Sequence, residues 1–130
     1  MPRERVERLH PNRTLLDLGV LLAAGSDWPV MPSPNPWYGI QGLVSRADPA
    51  GEFPGTLWPE QAVTVAEALH AYSLGTALAM GTADVTGSLT PGKSADFVVL
   101  DRDPFAVAVD ELGTTTAQST WFAGRPVYRR

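Results

Sequence analysis

The stretch Val20-Leu21-Leu22-Ala23-Ala24-Gly25-Ser26-Asp27 decides how the chain is read. Five apolar residues without a polar break, set between Gly19 and Gly25, are too few for a helix and match a strand buried on both faces, as in parallel sheets. Trp28-Pro29 then forces an extended exit, because the proline ring crowds the preceding residue out of the helical region. Asp27 therefore stands where the expected strand ends. In parallel α/β architectures, side chains at that end point into the active-site crevice. An aspartate after a strand also serves as a turn former or helix N-cap, so spacing alone leaves both readings open.

Upstream, residues 1–13 alternate basic and acidic side chains without an apolar period, which marks a lead-in segment. Thr14 is placed to cap a short helix with Asp17 three residues on; Leu15, Leu16 and Leu18 supply its apolar faces and Gly19 ends it. Downstream, seven of the twelve prolines and three of the four tryptophans fall between Trp28 and Pro59, which predicts a stiff structured loop instead of sheet. Inside it, Asn35 as N-cap and Pro36 at the first helical position precede Trp37, Ile40, Leu43 and Val44, the spacing of a short amphipathic helix that Gly39 and Gly42 weaken. Asp48-Pro49-Ala50-Gly51 and Phe53-Pro54-Gly55 are turn sequences. Trp58-Pro59-Glu60 leads into the strongest helix, where Thr64-Val65-Ala66-Glu67 forms a capping box and Val65, Leu69 and Tyr72 line one face. A further helical stretch, Thr76 to Met80, ends at Gly81. Beyond it, Pro91-Gly92 sits where a type II turn wants it, Ala95 to Asp101 reads as a strand, and Thr116 to Ala123 with Pro126 to Tyr128 reads as a hairpin turning at Gly124-Arg125.

These elements fit in one domain: the chain has 130 residues and is 44% apolar, too short for a complete (β/α)8 barrel of about 250 residues. Ten basic against fourteen acidic residues give a net charge of -4, so neither nucleic acid nor an anionic membrane surface is an expected partner. No cysteine is present, which excludes disulfides, thiolate zinc sites and cysteine nucleophiles and suits a reducing compartment. The charged stretch Met1 to Arg8 has no apolar run behind it and nothing approaches the length of a membrane span, so a cytoplasmic protein is expected.

Apart from Asp27, few residues suggest chemistry. His10 and His70 lie sixty positions apart, in neither a His-x-His nor a His-Glu-x-x-His arrangement, and read as a solvated lead-in residue and a helix residue. Gly25-Ser26-Asp27 is not a nucleophile elbow. Lys93 in Pro91-Gly92-Lys93-Ser94 lacks the first glycine of a phosphate loop and precedes a strand, which excludes a nucleotide site. Trp37, Trp58 and Trp121 are ligand-stacking platforms on one reading and packing that substitutes for secondary structure on the other, and the second is preferred.

Taken together, Leu15 to Val20, Gly25 to Val30, Thr64 to Leu69 and the block from Gly87-Ser88-Leu89-Thr90-Pro91-Gly92-Lys93 to Asp101-Arg102-Asp103-Pro104 resemble the C-terminal part of the metal-dependent amidohydrolase superfamily, in particular its YtcJ-like branch. The resemblance runs from about Arg13 to Tyr128 and implies an α/β fold. Residues 14–86 would be the C-terminal portion of a barrel, with Val20 to Ala24 its eighth strand, and residues 87–130 would be strands of an accompanying small β-sandwich. It also implies that Asp27 is both a metal-centre residue and the catalytic group, taking a proton from the metal-bound water that attacks an amide or related C-N bond of a small molecule. The loop from Trp28 to Trp58 would border the substrate pocket. The implied cofactor is a divalent metal, zinc first among them. The family's His-x-His, its carboxylated lysine or carboxylate and its two later histidines have no counterparts here, and one carboxylate does not retain a metal. Two expectations follow: a hydrolase part completed by a chain supplying the missing barrel strands, or a catalytically silent module. In either case the cut sheet edges predict self-association into a dimer or larger species.

Overall fold

In the computed structural model, which describes every residue except Met1, Pro2, Glu7 and Pro32, a series of short helices precedes a small antiparallel sheet. The first three of those residues belong to the expected lead-in and the fourth to the proline-rich loop, and both expectations lie outside the described residues at these positions. Helix α1 (Arg3–Val6) is a single turn. Helix α2 (Asn12–Asp17) starts two residues before the expected cap: Pro11 occupies the N-cap and no side chain there bonds the helix. Thr14 instead donates its amide to Gln61 Oε1 at 3.0 Å, while Gln61 Nε2 donates to the Thr14 hydroxyl at 2.9 Å. A side chain 47 positions away thus satisfies one of the orphan donors of the first turn, which no local motif announces. Gly19 closes the helix at φ +75°, as its place in the sequence requires.

Helix α3 (Pro36–Ser45) is capped as expected, the Asn35 side chain accepting the Trp37 amide at 3.1 Å. Trp37 and Ile40 point into the core and are 7% and 2% exposed. Gly39 does not weaken this helix; it admits the Tyr72 hydroxyl, which lies where a Cβ would stand. The turn that follows is held by Asp48, whose carboxylate accepts the amides of Ala50, Glu52 and Phe53. Those three donors keep its pKa below the ordinary carboxylate value.

Helix α4 (Val65–His70) begins with the predicted capping box: the Glu67 amide donates to Thr64 Oγ1 at 3.2 Å and the Thr64 amide to Glu67 Oε2 at 2.8 Å. Glu67 also accepts two hydrogen bonds from Arg13 Nη1, at 2.7 and 2.8 Å, tying α2 to α4. The helical path continues through a π turn (Ala71–Gly75) into α5 (Thr76–Ala79) and ends at Gly81, φ +70°.

Residues 20–24 form no strand, because the described residues offer them no neighbouring strand to pair with. They lie instead along the π turn. The Ala24 amide donates to the Ala71 carbonyl at 3.0 Å, and the Thr76 hydroxyl stands 3.0 Å from the Ala24 carbonyl and 2.8 Å from that of Ala71. Leu22, Ala24 and Ser26 are partly covered while Leu21, Ala23 and Gly25 are exposed, the two-residue alternation of an extended segment. Burial on one face replaces the expected burial on both. Gly75 permits the approach, since a Cβ there would run into the Leu22 carbonyl.

The sheet has the order β1 (Phe97–Leu100), β2 (Ala117–Phe122), β3 (Arg125–Arg129), all antiparallel. The hairpin turns at Ala123-Gly124, both at positive φ (49° and 74°), one residue before the expected place; Arg125 already pairs with Phe122. Between β1 and β2 a 3-10 turn (Val109–Thr114) packs on α3, where it buries Leu112 completely and donates the Gly113 amide to Gln41 Oε1 at 2.7 Å. Trp37, Ile40, Val63, Ala68 and Leu112 make the core. Among the described residues this is the single sheet, one layer where a sandwich has two.

Asp101 fastens the sheet's loop end: its Oδ1 accepts the Thr116 amide at 2.9 Å and its Oδ2 accepts Arg102 Nη2 at 3.0 Å. The Arg102 guanidinium, then the Thr116 amide, hold its pKa down to about 2. A carboxylate depressed in the folded state contributes stability that is complete above its unfolded pKa of about 3.9 and is lost as pH falls toward the folded value. Urea unfolding followed from about pH 5 to about pH 2 is expected to show a decline in stability that Asp101→Asn blunts; equal declines in the two proteins would contradict the assignment. Gly75→Ala is expected to destabilise the chain by about 1–3 kcal/mol through overpacking against Leu22. Thermal unfolding reads this directly, and an unchanged melting temperature would show that the contact is not made.

Candidate functional site

Asp27 follows the docked segment directly and is exposed. Its backbone sits at φ 49°, a left-handed conformation that aspartate tolerates better than most residues, and its carbonyl accepts the Val30 amide at 2.8 Å to close a turn. The Trp28 amide donates to Ser26 Oγ at 3.3 Å. Asp27 is therefore a turn former through its main chain, while its carboxylate accepts no hydrogen bond from any described residue.

Beside this turn lies a cavity of about 440 Å³, lined among others by His10, Gly25, Ser26, Tyr38, Arg46 and Tyr72. Arg46 is 8% exposed and ends α3 in the left-handed conformation, φ 57°. Its Nε donates to the Leu57 carbonyl at 3.0 Å and its Nη2 to the Leu9 carbonyl at 3.2 Å. Burial lowers the pKa of this guanidinium. Burial also raises the Tyr72 phenol, and the Tyr38 phenol is raised by burial first and then by the charges of Asp48 and Glu52.

The other singled-out residues are placed apart. His10 lines the cavity, whereas His70 is exposed on α4. Among the described residues no three His, Cys, Asp or Glu side chains gather where they would hold a cation, so the residues present do not fit a metal centre. Lys93 donates to Ser88 Oγ at 2.8 Å and staples its own turn. Trp37 packs in the core, and Trp121 stacks on Phe97 with ring centroids 5.4 Å apart under the Arg129 guanidinium. Trp58 is half-buried and carries a left-handed backbone, φ 49°, at the entry to the 3-10 turn Pro59–Gln61.

Arg46 and Tyr38 escaped the sequence reading, and Tyr72 entered it only as part of a helix face. A single arginine after an amphipathic helix looks like an ordinary C-terminal charge. Its burial follows from tertiary contacts with Leu9 and Leu57, which local sequence does not encode.

The amidohydrolase family's sequence profile matches residues 1–128. The chain is 36% identical over 126 residues to N-substituted formamide deformylase of Arthrobacter pascens, covering 95% of this chain and 22% of that protein. It is 30% identical over 128 residues to the putative amidohydrolase YtcJ of Bacillus subtilis, covering 98% of this chain and 24% of that one. Among solved structures, an amidohydrolase from Thermotoga maritima superposes with a TM-score of 0.66 at 25% identity over 90% of this chain and 25% of the other. Guanine deaminase of E. coli shares the fold, with a TM-score of 0.58. The chain spans about a quarter of the length of the relatives it matches. A match that runs through the docked segment, the Asp27 turn and the sheet, in sequence and in shape, establishes that the chain belongs to the amidohydrolase family.

Proposed function

We propose that this chain is the C-terminal segment of a metal-dependent, cytoplasmic amidohydrolase that acts on a non-peptide C-N bond of a small amide-type molecule, with Asp27 as its proton acceptor. One observation carries the reading: Asp27 ends an extended segment that rests on helices by one face and is open on the other, and its carboxylate is unengaged among the described residues. A strand of a (β/α)8 barrel has the same two environments, helices outside and side-chain layers inside. In this reading residues 14–86 belong to the barrel, residues 87–130 to a β-sandwich, and residues 1–13 lead in. Metal binding, by zinc or another divalent ion, is assigned to residues outside this chain. Asp27 accepts the proton released when water adds to the amide carbon and returns it to the departing nitrogen as the C-N bond breaks, leaving the carboxylate as it began.

The exposed sheet supports a second reading for the chain on its own. Val98 and Val99, on opposite faces of β1, are 46% and 43% exposed, and Phe122 and Val127 are 64% and 61% exposed. Apolar surface on both faces, beside unpaired edges at β1 and β3, favours association with a second copy or with a chain that supplies the missing strands.

A chimera in which residues 13–128 replace the matched segment of the Arthrobacter pascens deformylase tests the catalytic reading. Hydrolysis of an N-substituted formamide is expected, with kcat reduced about 10²–10⁴-fold by Asp27→Asn at unchanged metal content. Full activity of that variant would contradict the role given to Asp27. For the chain alone, sedimentation velocity at micromolar concentration is expected to show a dimer or larger species, and a clean monomer would remove the second reading.

A further inference from the structure

The side chain of Arg46, 8% exposed, has no counter-charge among the described residues. It appears in no ion pair there, and its two hydrogen bonds go to neutral main-chain carbonyls, those of Leu57 and Leu9. A guanidinium has five N-H donors, so most of its donor capacity, Nη1 included, is unspent. Buried charges are ordinarily paired, because the solvation they lose must be replaced. Asp48, two positions on, does not fill this need: its carboxylate is occupied by the amides of Ala50, Glu52 and Phe53.

Arg46 borders two hollows. The one against the 47–57 loop also has Asp48 on its wall, which repels an anion. The cavity of about 440 Å³ beside the Asp27 turn has no aspartate or glutamate among its described lining residues, and it carries the tyrosines Tyr38 and Tyr72 together with Ser26. Arg46 gives this wall a positive charge that no carboxylate among its described lining residues offsets.

We infer that this cavity, lined by Ser26, Tyr38 and Tyr72 as well as Arg46, binds a carboxylate of the substrate with Arg46 as its anchor. A carboxylate brings one charge to the donors that Nη1 leaves free, whereas a phosphate dianion would bring two charges to a single cation. The inference deepens the proposed function by naming the substrate as an amide that also bears a carboxylate, and it rests on that reading only in taking the bound molecule to be a substrate.

The test uses the 130-residue chain and no hydrolysis readout, so its failure leaves the role of Asp27 standing, and failure of that role leaves this binding standing. Amide and arginine side-chain NMR signals are followed while N-formylglycine, as its carboxylate, is added, and separately while the uncharged N-formylglycinamide is added. Saturable shifts at Ser26, Tyr38, Tyr72 and the Arg46 side chain are expected with the carboxylate, at least about tenfold tighter than with the amide, as loss of a charge-assisted hydrogen bond implies. Arg46→Gln is expected to abolish the difference and Arg46→Lys to retain part of it. Equal binding of the two compounds by the unsubstituted chain, or no saturable shift at these residues, would overturn the inference without recourse to a variant and reduce Arg46 to a structural tie between Leu9 and Leu57.

Discussion

One main-chain contact fixes the position of the segment that leads to Asp27. The Ala24 amide donates to the Ala71 carbonyl, and the Thr76 hydroxyl reaches the Ala24 carbonyl, so the 20–26 segment is held by the helical stretch instead of by a neighbouring strand. An α-helical carbonyl is normally taken by the amide four residues on; the extra residue of the π turn disturbs that pairing at Ala71–Gly75 and lets an external donor in. Gly75 completes the arrangement, because any side chain at that position would push the Leu22 carbonyl away. Everything downstream takes its position from this contact: the left-handed turn at Asp27, the serine that meets the Trp28 amide, and the wall of the cavity at Gly25 and Ser26.

A second constraint acts on the opposite wall. Gly39 and Tyr72 interlock, the hydroxyl standing where a Cβ would be, so α3 and the helical stretch that carries the π turn approach closely. Arg46 at the end of α3 is then drawn under the loop carbonyls of Leu9 and Leu57. The cavity is therefore bounded on one side by a segment fixed through hydrogen bonds and on the other by a helix fixed through packing. Among its described lining residues Arg46 carries the charge and no carboxylate is present.

Local chemistry made much of this legible from sequence. The Asn35-Pro36 cap, the Thr64–Glu67 box, the glycine stops and the hairpin all follow from short-range hydrogen bonding and permitted φ values, and the structure bears them out to within a residue or two. Residues whose role is set at long range were not legible. Thr14 is served by Gln61 from 47 positions away, and Val20 to Ala24 has the composition of a fully buried strand while docking on the helical stretch at residues 71–76. An apolar run records the number of faces its sequence is suited to bury, not the partners actually present. The carboxylate at residue 27 was found because an acid after a short apolar run is conspicuous, whereas Arg46 was hidden by looking like any helix-terminal charge.

Amide hydrogen exchange along residues 20–26 tests the organising contact most directly. Slow exchange at Ala24, with Leu21 and Ala23 exchanging at the rate of open chain, is what docking on the π turn predicts, since Ala24 alone of the three has an acceptor among the described residues. Ala24 exchanging as fast as Ala23 would mean that the segment is not held there, and the placement of Asp27 would lose its physical basis.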